Sequence, residues 1–597
     1  MCGIIGCIGT DRTTETLLSG LSNLEYRGYD STGIALGGPS LAVEKREGEL
    51  TNLRDHLADT DLPGSALGIG HTRWSTHGAP SDANAHPHTD ERGRVAVVHN
   101  GIIENADALR DELRADGVTF TSDTDSEVVP HLVAAALADG HAPRDAVRTA
   151  VDRLEGSYAL TIVVGGVEAL FAVRNDMPVV LGIGDDAHYV ASDIPAFLDR
   201  TRDVVFLDDG ELAVLRPDDW EVTDGGDPVS KTVRTADWEP EQTGRSGYDH
   251  FMLKEINEQP RALRQCLRGR TDDLADTVEV DALAGLDRPE RVHFVACGTS
   301  YHASLYGAQL LRDMGIPARA DLASEYALAP PPMDAETLVV GVTQSGETAD
   351  TLNALRAAES KGAATLAVTN VVGSTAAREC DTLLPIRAGP EIAVAASKTF
   401  SSQLVALNLL AEHLRSQERR WGGASKLRAL PQQVQQVLDD SAARDVVDAY
   451  HDRDAFFFVG RGYNRPVALE GALKFKEITY KHAEGFAAGE LKHGPLALVS
   501  ERTPVVAVVT GSGPSAQKTV NTIKEVKSRG APIVAVTDGR TDVARYADAV
   551  LDVPAAEPRI AAVLANVQLQ LVAYYTALGL DRSIDKPRNL AKSVTVE

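Results

Sequence analysis

The second residue combines two functions that catalysis usually draws from separate side chains. Once an aminopeptidase has removed Met1, which a small following residue permits, Cys2 carries a thiol and a free α-amino group together. A thiol is only partly ionised near neutrality, and an α-amino group, with an ordinary pKa of roughly 7.7–8.0, can relay its proton. Nucleophile and base therefore arrive on one residue. A second stretch offers different chemistry. Thr343-Gln344-Ser345-Gly346-Glu347-Thr348 leaves an apolar run and enters a helical pattern, so hydroxyls and backbone N–H groups converge on a helix N-terminus, an arrangement that suits a phosphate. Lys474 and Glu477, three apart on another helical pattern, have the spacing of an exposed ion pair.

The elements that must position these groups fall into two kinds. Up to about residue 216, short apolar strands alternate with turns at 66–70, 95–98, 158–164, 170–173 and 204–207, and helical patterns cover 14–24 and 125–138. This predicts layered sheets flanked by helices. Residues 217–247, rich in Asp, Gly and Thr, read as a linker. Beyond it the chain repeats itself. A strand, the turn Cys297-Gly298-Thr299-Ser300 and a helix at 291–310 are echoed by a strand, Gly460-Arg461-Gly462 and a helix at 455–474; the apolar runs 337–342 and 503–509 and the runs 365–370 and 533–538 also correspond. Strands alternating with helices predict two doubly wound parallel α/β domains, each with a crevice at the carboxyl ends of its strands. In the second copy Thr510-Gly511-Ser512-Gly513-Pro514 lacks the hydroxyl array, which predicts no phosphate there.

Length and composition narrow the function classes. A chain of 597 residues with 43% hydrophobic content is too long for one core and predicts three or four domains. The sequence shows neither an uninterrupted membrane-length apolar run nor a charged-then-apolar leader, so a cytoplasmic protein is expected. Five scattered cysteines (Cys2, Cys7, Cys266, Cys297, Cys380) fit free thiols better than a zinc site or a disulfide scaffold. The histidines His71, His77, His86, His88 and His99 lack a completing carboxylate or Cys at ligand spacing, and neither metal nor cofactor is expected. A formal charge of −27 argues against a nucleic-acid partner.

Four blocks stand in order near the N-terminus: Tyr26-Arg27-Gly28-Tyr29-Asp30-Ser31, His71 to Gly78, His99 to Asn105 and Ser122 to Glu127. With Cys2 they make residues 1–216 resemble the class II, N-terminal-nucleophile glutamine amidotransferases, whose fold is an αββα sandwich. The resemblance implies that Cys2 attacks the side-chain amide of L-glutamine, and that the Asn100 side chain and the Gly101 N–H form the oxyanion hole. It also gives Arg73 the α-carboxylate through a two-pronged contact, Asp125 the α-ammonium, and Trp74, Thr76 and His77 further parts in holding glutamine.

The repeated halves, 248–430 and 431–585, resemble tandem sugar isomerase domains. That likeness assigns phosphate contacts to Ser300, Thr343, Gln344, Ser345 and Thr348, and adds Cys297, Gly298, Thr299, Val394 and Ala591 to the sugar-phosphate site. Thr343 stands where Ser is usual, and Ala396 where a hydroxyl is usual. The segments 473–477 and 489–495 and the tail 586–597 resemble the glucosamine-6-phosphate synthase family. The implied acceptor is D-fructose 6-phosphate, with Lys592 forming a Schiff base at C2, Glu477 moving a proton between C1 and C2, Lys474 beside it, and His493 assisting ring opening from a neighbouring subunit. A homodimer follows, with the apolar segment 561–567 expected to supply surface for it.

Rival readings need motifs that the sequence lacks: the ATP loop of asparagine synthetases, the acidic pair of amidophosphoribosyltransferases, a Gly-x-x-x-x-Gly-Lys-Ser/Thr loop, or the basic recognition helix of a sugar-sensing regulator. Acidic side chains are dispersed along the chain rather than gathered in a tail, as in 55–61, which suits a surface solvated at high salt. Since salt screens repulsion within so acidic a fold, thermal melts in KCl from low to multimolar concentration are expected to show a midpoint rising by several degrees. A midpoint independent of salt would remove the halophilic reading.

Overall fold

The computed structural model describes residues 2–75, 77–236, 244–272, 275–415 and 423–595. The chain forms two compact units, Met1–Gly244 with Ala591–Glu597, and Arg245–Leu590.

The first unit is built on two antiparallel sheets of eight and seven strands. Alternation along the strands explains the layering. In Val95–Ile103, Val95 and Val97 face helices Ala106–Ala115, Val128–Ala138 and Pro143–Val151, while Ala96 and Val98 face the other sheet. Its neighbour Gly156–Val164 repeats the pattern, with Leu160 and Ile162 under the helices and Ala159 and Val163 between the sheets. Helix Thr13–Leu24 covers the outer face of the first sheet, completing the αββα order.

The linker expectation fails over much of its length. Asp219–Asp224 pairs with Glu211–Arg216 as a hairpin of the second sheet, and Arg234–Thr235 edges the first. Arg234–Thr235 is an edge strand and Asp219–Asp224 has only the two-residue strand Asp227–Pro228 outside it, so these strands are polar because only part of each face is covered.

The second unit contains two five-stranded parallel sheets of one topology. In the first, the order is Ala318–Leu322, Arg291–Ala296, Thr337–Thr343, Ala364–Thr369, Thr382–Pro385; in the second it is His482–Ala487, Ala455–Gly460, Val505–Val509, Ile533–Thr537, Ala549–Asp552. Both are in the sequential order 2-1-3-4-5, whose switch point lies between the first and third strands. One continuous core joins the repeats, drawing Phe294 and Val340 from one sheet, Phe458 and Val506 from the other, and residues of helices Gly298–Asp313, Lys398–His413, Asn464–Thr479 and Pro558–Gly579.

Two further expectations are corrected here. The boundary at 430/431 falls inside helix Ala424–Asp440, which carries Pro431 in its interior. Helix Pro558–Gly579 is long and apolar enough to cross a membrane, yet 94% of its most apolar window is buried within the fold. Residues 561–567 are wholly enclosed and have no surface to offer a second subunit.

Candidate functional site

Strand pairing places the nucleophile. Gly3–Ile8 lies between Leu67–Arg73 and His188–Ala191, with Gly3 opposite Thr72, so Cys2 comes beside the end of Leu67–Arg73. Its Sγ accepts the Trp74 N–H at 3.2 Å and lies 3.4 Å from the Trp74 carbonyl. The Cys2 carbonyl accepts from Asn100 Nδ2 at 3.0 Å and from Arg27 Nε at 3.1 Å. Arg27 is braced in turn by Asp193, 3.1 Å away, which also accepts the Tyr26 hydroxyl at 2.6 Å. Gly101, next to Asn100, has φ +119°, and a Cβ there would lie 1.9 Å from the Ser157 carbonyl, so only glycine fits.

Arg73 ends its strand, buried to 4% exposure. One terminal nitrogen donates to the carbonyls of His77 and Gly78, while Nη1 is enclosed with no hydrogen-bond partner. Burial pulls its pKa down against the pull of Cys2, Asp30 and Asp125. A buried guanidinium with an unused prong is costly unless an acceptor arrives, and a carboxylate supplies one. Asp125 is fixed by the Ile103 N–H at 2.8 Å and the Ser126 hydroxyl at 3.3 Å. Trp74 is half-buried, edge-on to Tyr29, and His77 is exposed. Thr76 lies outside the described residues. Cys2, Arg73, Trp74 and Asn100 are thus directly assembled, with Gly101 adjoining Asn100; Tyr26 and Arg27 lie inside a block quoted above without a role of their own, and Asp193 left no signal in the sequence.

In the second unit, the turn after Arg291–Ala296 and the loop after Thr337–Thr343 meet at the switch point of the first parallel sheet. Gly346 has φ +72°, and a Cβ there would lie 1.9 Å from the Ser374 hydroxyl. The Thr343 hydroxyl accepts the Gly346 N–H at 3.1 Å and lies 3.1 Å from the Thr348 hydroxyl; Ser345 Oγ accepts the Glu347 N–H at 3.1 Å. Gln344 shares the loop, its carbonyl accepting the Asn370 N–H. Thr348 occupies the N-cap of Ala349–Glu359 without capping that helix by its side chain, which leaves its hydroxyl toward the loop. Ser300 Oγ accepts from Gln403 Nε2 at 2.9 Å. Cys297 and Gly298 open helix Gly298–Asp313, and burial, then Asp350, push the Cys297 thiol up. The Val394 N–H is held by the Asp585 carbonyl at 3.0 Å.

The pair on Asn464–Thr479 is not an exposed one. Lys474 is 1% exposed, with Nζ 2.5 Å from Glu477 and 3.5 Å from Glu470. Burial works against its charge, but Glu477 and Glu470 outweigh burial and raise its pKa, so it stays an ammonium. Glu470, fully buried, accepts from the Thr299 hydroxyl at 3.0 Å and lies 2.8 Å from His302 Nδ1. The turn at 297–300 in the first repeat is thereby tied to the Lys474–Glu477 pair of the second. Glu470 escaped the sequence reading, though its place four residues before Lys474 on the same helical face was the available signal. His493 is exposed after the short helix Glu490–Lys492 and is not hydrogen-bonded to this cluster. Ala591 and Lys592, both half-buried, belong to the tail that groups with the first unit.

These geometries define a class: a glutamine amidotransferase of the N-terminal-nucleophile type on one chain with paired sugar isomerase folds. A glutamine amidotransferase domain is matched over residues 71–199 and an SIS domain twice, over 285–413 and 449–579. A protein of Halobacterium salinarum named glutamine--fructose-6-phosphate aminotransferase [isomerizing] is 53% identical over 612 residues, covering all of both chains. One of that name from Thermus thermophilus is 45% identical over 608 residues, again covering all of both. Among solved structures, the C-terminal domain of glucosamine-fructose-6-phosphate aminotransferase from Francisella tularensis superposes with a TM-score of 0.55 at 33% identity, covering 58% of this chain and 100% of that one. The chain belongs to the glutamine–fructose-6-phosphate aminotransferase (isomerizing) family.

A side chain at position 346 forces the Thr343–Thr348 loop open. Gly346→Ala is expected to weaken fructose 6-phosphate binding at least about tenfold by calorimetry, a loss on the scale of one strained loop residue, while glutamine hydrolysis by the other unit is retained.

Proposed function

We infer that the chain is an enzyme that transfers the amide nitrogen of L-glutamine to D-fructose 6-phosphate and isomerises the product to D-glucosamine 6-phosphate, releasing L-glutamate. This is the entry step to amino-sugar (UDP-N-acetylglucosamine) synthesis. The observation that carries the reading is the nucleophile site itself: Cys2 Sγ against Trp74, Asn100 Nδ2 against Cys2, and Arg73 with a buried prong waiting for a carboxylate. The full-length relationship to enzymes named for this reaction supports it.

In the proposed first half-reaction the Cys2 thiolate attacks the glutamine amide carbon. Negative charge grows on the amide oxygen, where Asn100 Nδ2 and the Gly101 N–H stabilise it. Collapse expels ammonia, the Cys2 α-amino group passing to the leaving nitrogen the proton it took from the thiol, and leaves a thioester, which water cleaves to glutamate and the free thiol. Arg73 takes the substrate α-carboxylate and Asp125 the α-ammonium, with Trp74, Thr76 and His77 completing the pocket. In the second half-reaction the phosphate docks on Ser300 and the Thr343–Thr348 loop, with Gln344 and Ser345 in contact and Cys297, Gly298, Thr299, Val394 and Ala591 lining the sugar. Lys592 condenses with the C2 carbonyl, and ammonia displaces it to give the fructosimine. Glu477 then removes a proton from C1 and returns one to C2, a step helped by an ammonium at 2.5 Å that holds the carboxylate in one orientation. Five unbridged thiols and a phosphorylated substrate fit the cytoplasm.

The test of the chemistry is direct. Incubated with glutamine and fructose 6-phosphate, the protein should yield glucosamine 6-phosphate by mass. Cys2→Ala is expected to lower glutamate release at least about 1,000-fold, as loss of a nucleophile does, while sugar-phosphate isomerisation persists. Glutamate release near the wild-type rate would sink the assignment.

We further propose a homodimer in which the exposed His493 serves the sugar site of the partner subunit. Mixing His493→Ala with Lys592→Ala under conditions of subunit exchange should restore about a quarter of wild-type activity, because half the dimers are mixed and each has one intact centre. Demonstrated exchange without recovery would exclude a shared site.

A further inference from the structure

Asn100 is a pseudo-symmetric amide whose two ends do opposite things to an oxyanion, so something must decide which end faces the reacting carbon. Two carbonyls fix the proton map. The Cys2 carbonyl can only accept, so the end of Asn100 at 3.0 Å from it is Nδ2. The His99 carbonyl can only accept, so His71 Nε2, 3.0 Å away, carries its proton. That same N–H lies 3.1 Å from Asn100 Oδ1. His71 is 0% exposed and Asn100 3%, so water does not compete for these groups.

We propose that His71 is the positioning residue of the oxyanion hole, its Nε2–H holding Asn100 Oδ1 away from the nucleophile so that Nδ2 faces the growing charge. The inference rests on the glutaminase reading above. Flipping the amide would set Oδ1 against the Cys2 carbonyl and Nδ2 against the His71 N–H, two repulsive contacts in place of two hydrogen bonds, and would turn an oxyanion donor into an acceptor.

The histidine is itself held. Its ring stacks on His86 at 4.2 Å between centroids and 24° between planes, and His86 Nδ1 accepts the His99 N–H at 3.2 Å. His88 meets His86 edge-on and lies 2.9 Å from the Thr124 hydroxyl, while His99 Nδ1 lies 2.7 Å from the Ser126 hydroxyl; these hydroxyls flank Asp125. Lys45 donates to the carbonyls of Ala83, Ala85 and Pro87, clamping the loop that carries His86. Burial pushes the His71 pKa down to about 3, so the ring is neutral at physiological pH and its single N–H is the one at Nε2. Neutrality also spares Arg73 a second buried cation beside it. The imidazoles thus form a packed column from the oxyanion hole to the binding loop of the substrate ammonium.

The test is steady-state glutamine hydrolysis by the full chain. His71→Phe keeps the ring stack and removes the donor; its kcat is expected to fall about 10- to 100-fold, on the scale of a compromised oxyanion donor, with the KM for glutamine changed less than about threefold. His71→Gln, which returns an N–H near the height of Nε2, should recover most of the rate. His71→Phe in an Asn100→Ala background should cost nothing further, since the group being positioned is gone. A column that only fills space predicts an unchanged kcat in His71→Phe, and additive losses in the double variant would equally overturn the proposal. If His71→Phe fails to fold, His71→Gln and His71→Asn carry the comparison, because Asn places its donor too low: rescue by Gln alone supports the role and equal rates overturn it. A wild-type chain that leaves glutamine intact overturns the glutaminase reading and the inference with it; a wild-type chain that hydrolyses glutamine beside an equally fast His71→Phe overturns the inference alone.

Discussion

The antiparallel ladder between Gly3–Ile8 and Leu67–Arg73 is the constraint on which the nucleophile site depends. Strand side chains alternate faces, so along Leu67-Gly68-Ile69-Gly70-His71-Thr72-Arg73 the odd positions share one face and the even positions the other. Leu67 and Ile69 pack between the two sheets, which sends His71 and Arg73 the same way, toward the strand that bears Asn100. The even positions, two of them glycine, lie beneath helix Thr13–Leu24. A register slip of one residue would carry both His71, with its contact to Asn100, and Arg73 to the helix side. Continued by one step, the same ladder sets Cys2 against Arg73 and beside Trp74, so the proposed nucleophile and carboxylate clamp are placed by backbone pairing rather than by loops.

The second unit meets a harder electrostatic condition. Glu470 is a carboxylate with no solvent exposure, and desolvating such a charge costs several kcal/mol unless it is paired and hydrogen-bonded. Its oxygens meet Thr299 and His302 from the first repeat and Lys474 from its own helix. The charge is tolerable only while both repeats are in place. Through Glu470 the turn at 297–300 and Lys474 with its partner Glu477 are joined in one hydrogen-bonded and ion-paired network.

What the sequence revealed follows from what leaves a periodic trace. The repeated strand–turn–helix units of the second unit were legible because buried parallel strands are continuous apolar runs. The strand pattern at 95–98 and 158–164 was legible for the complementary reason, two buried faces. Ala42–Glu47, half-buried or more open throughout, gave no such trace, and the polar hairpin at 211–224 was partly mistaken for linker. Apolar content at 561–567 was read as spare surface when it marked the centre of the core. The Lys474–Glu477 spacing was read as solvent-facing because spacing carries no information on what packs over a helix. Glu470 with His302 joins residues 168 apart, a juxtaposition only the packed repeats create.

The two crevices of the second unit are built on one topology but held together differently. In the first, the loop is held by its own hydroxyls: Thr343 Oγ1 accepts the Gly346 N–H and meets the Thr348 hydroxyl, and Ser345 Oγ accepts the Glu347 N–H. In the second, a carboxylate serves the corresponding turn. The Gly511 N–H donates to Asp538 Oδ2 at 2.9 Å, the enclosed side chain of Asp538 is paired with Arg540, and the Thr510 hydroxyl donates to Asn464 at 2.9 Å. A buried carboxylate repels a phosphate as surely as it replaces one. The helix whose first residue meets this turn, Asn464–Thr479, is the one that carries Glu470, Lys474 and Glu477. The Thr510–Asn464 hydrogen bond ties the start of that helix to the second crevice, while Glu470 ties its charged face to Thr299 and His302 of the first repeat.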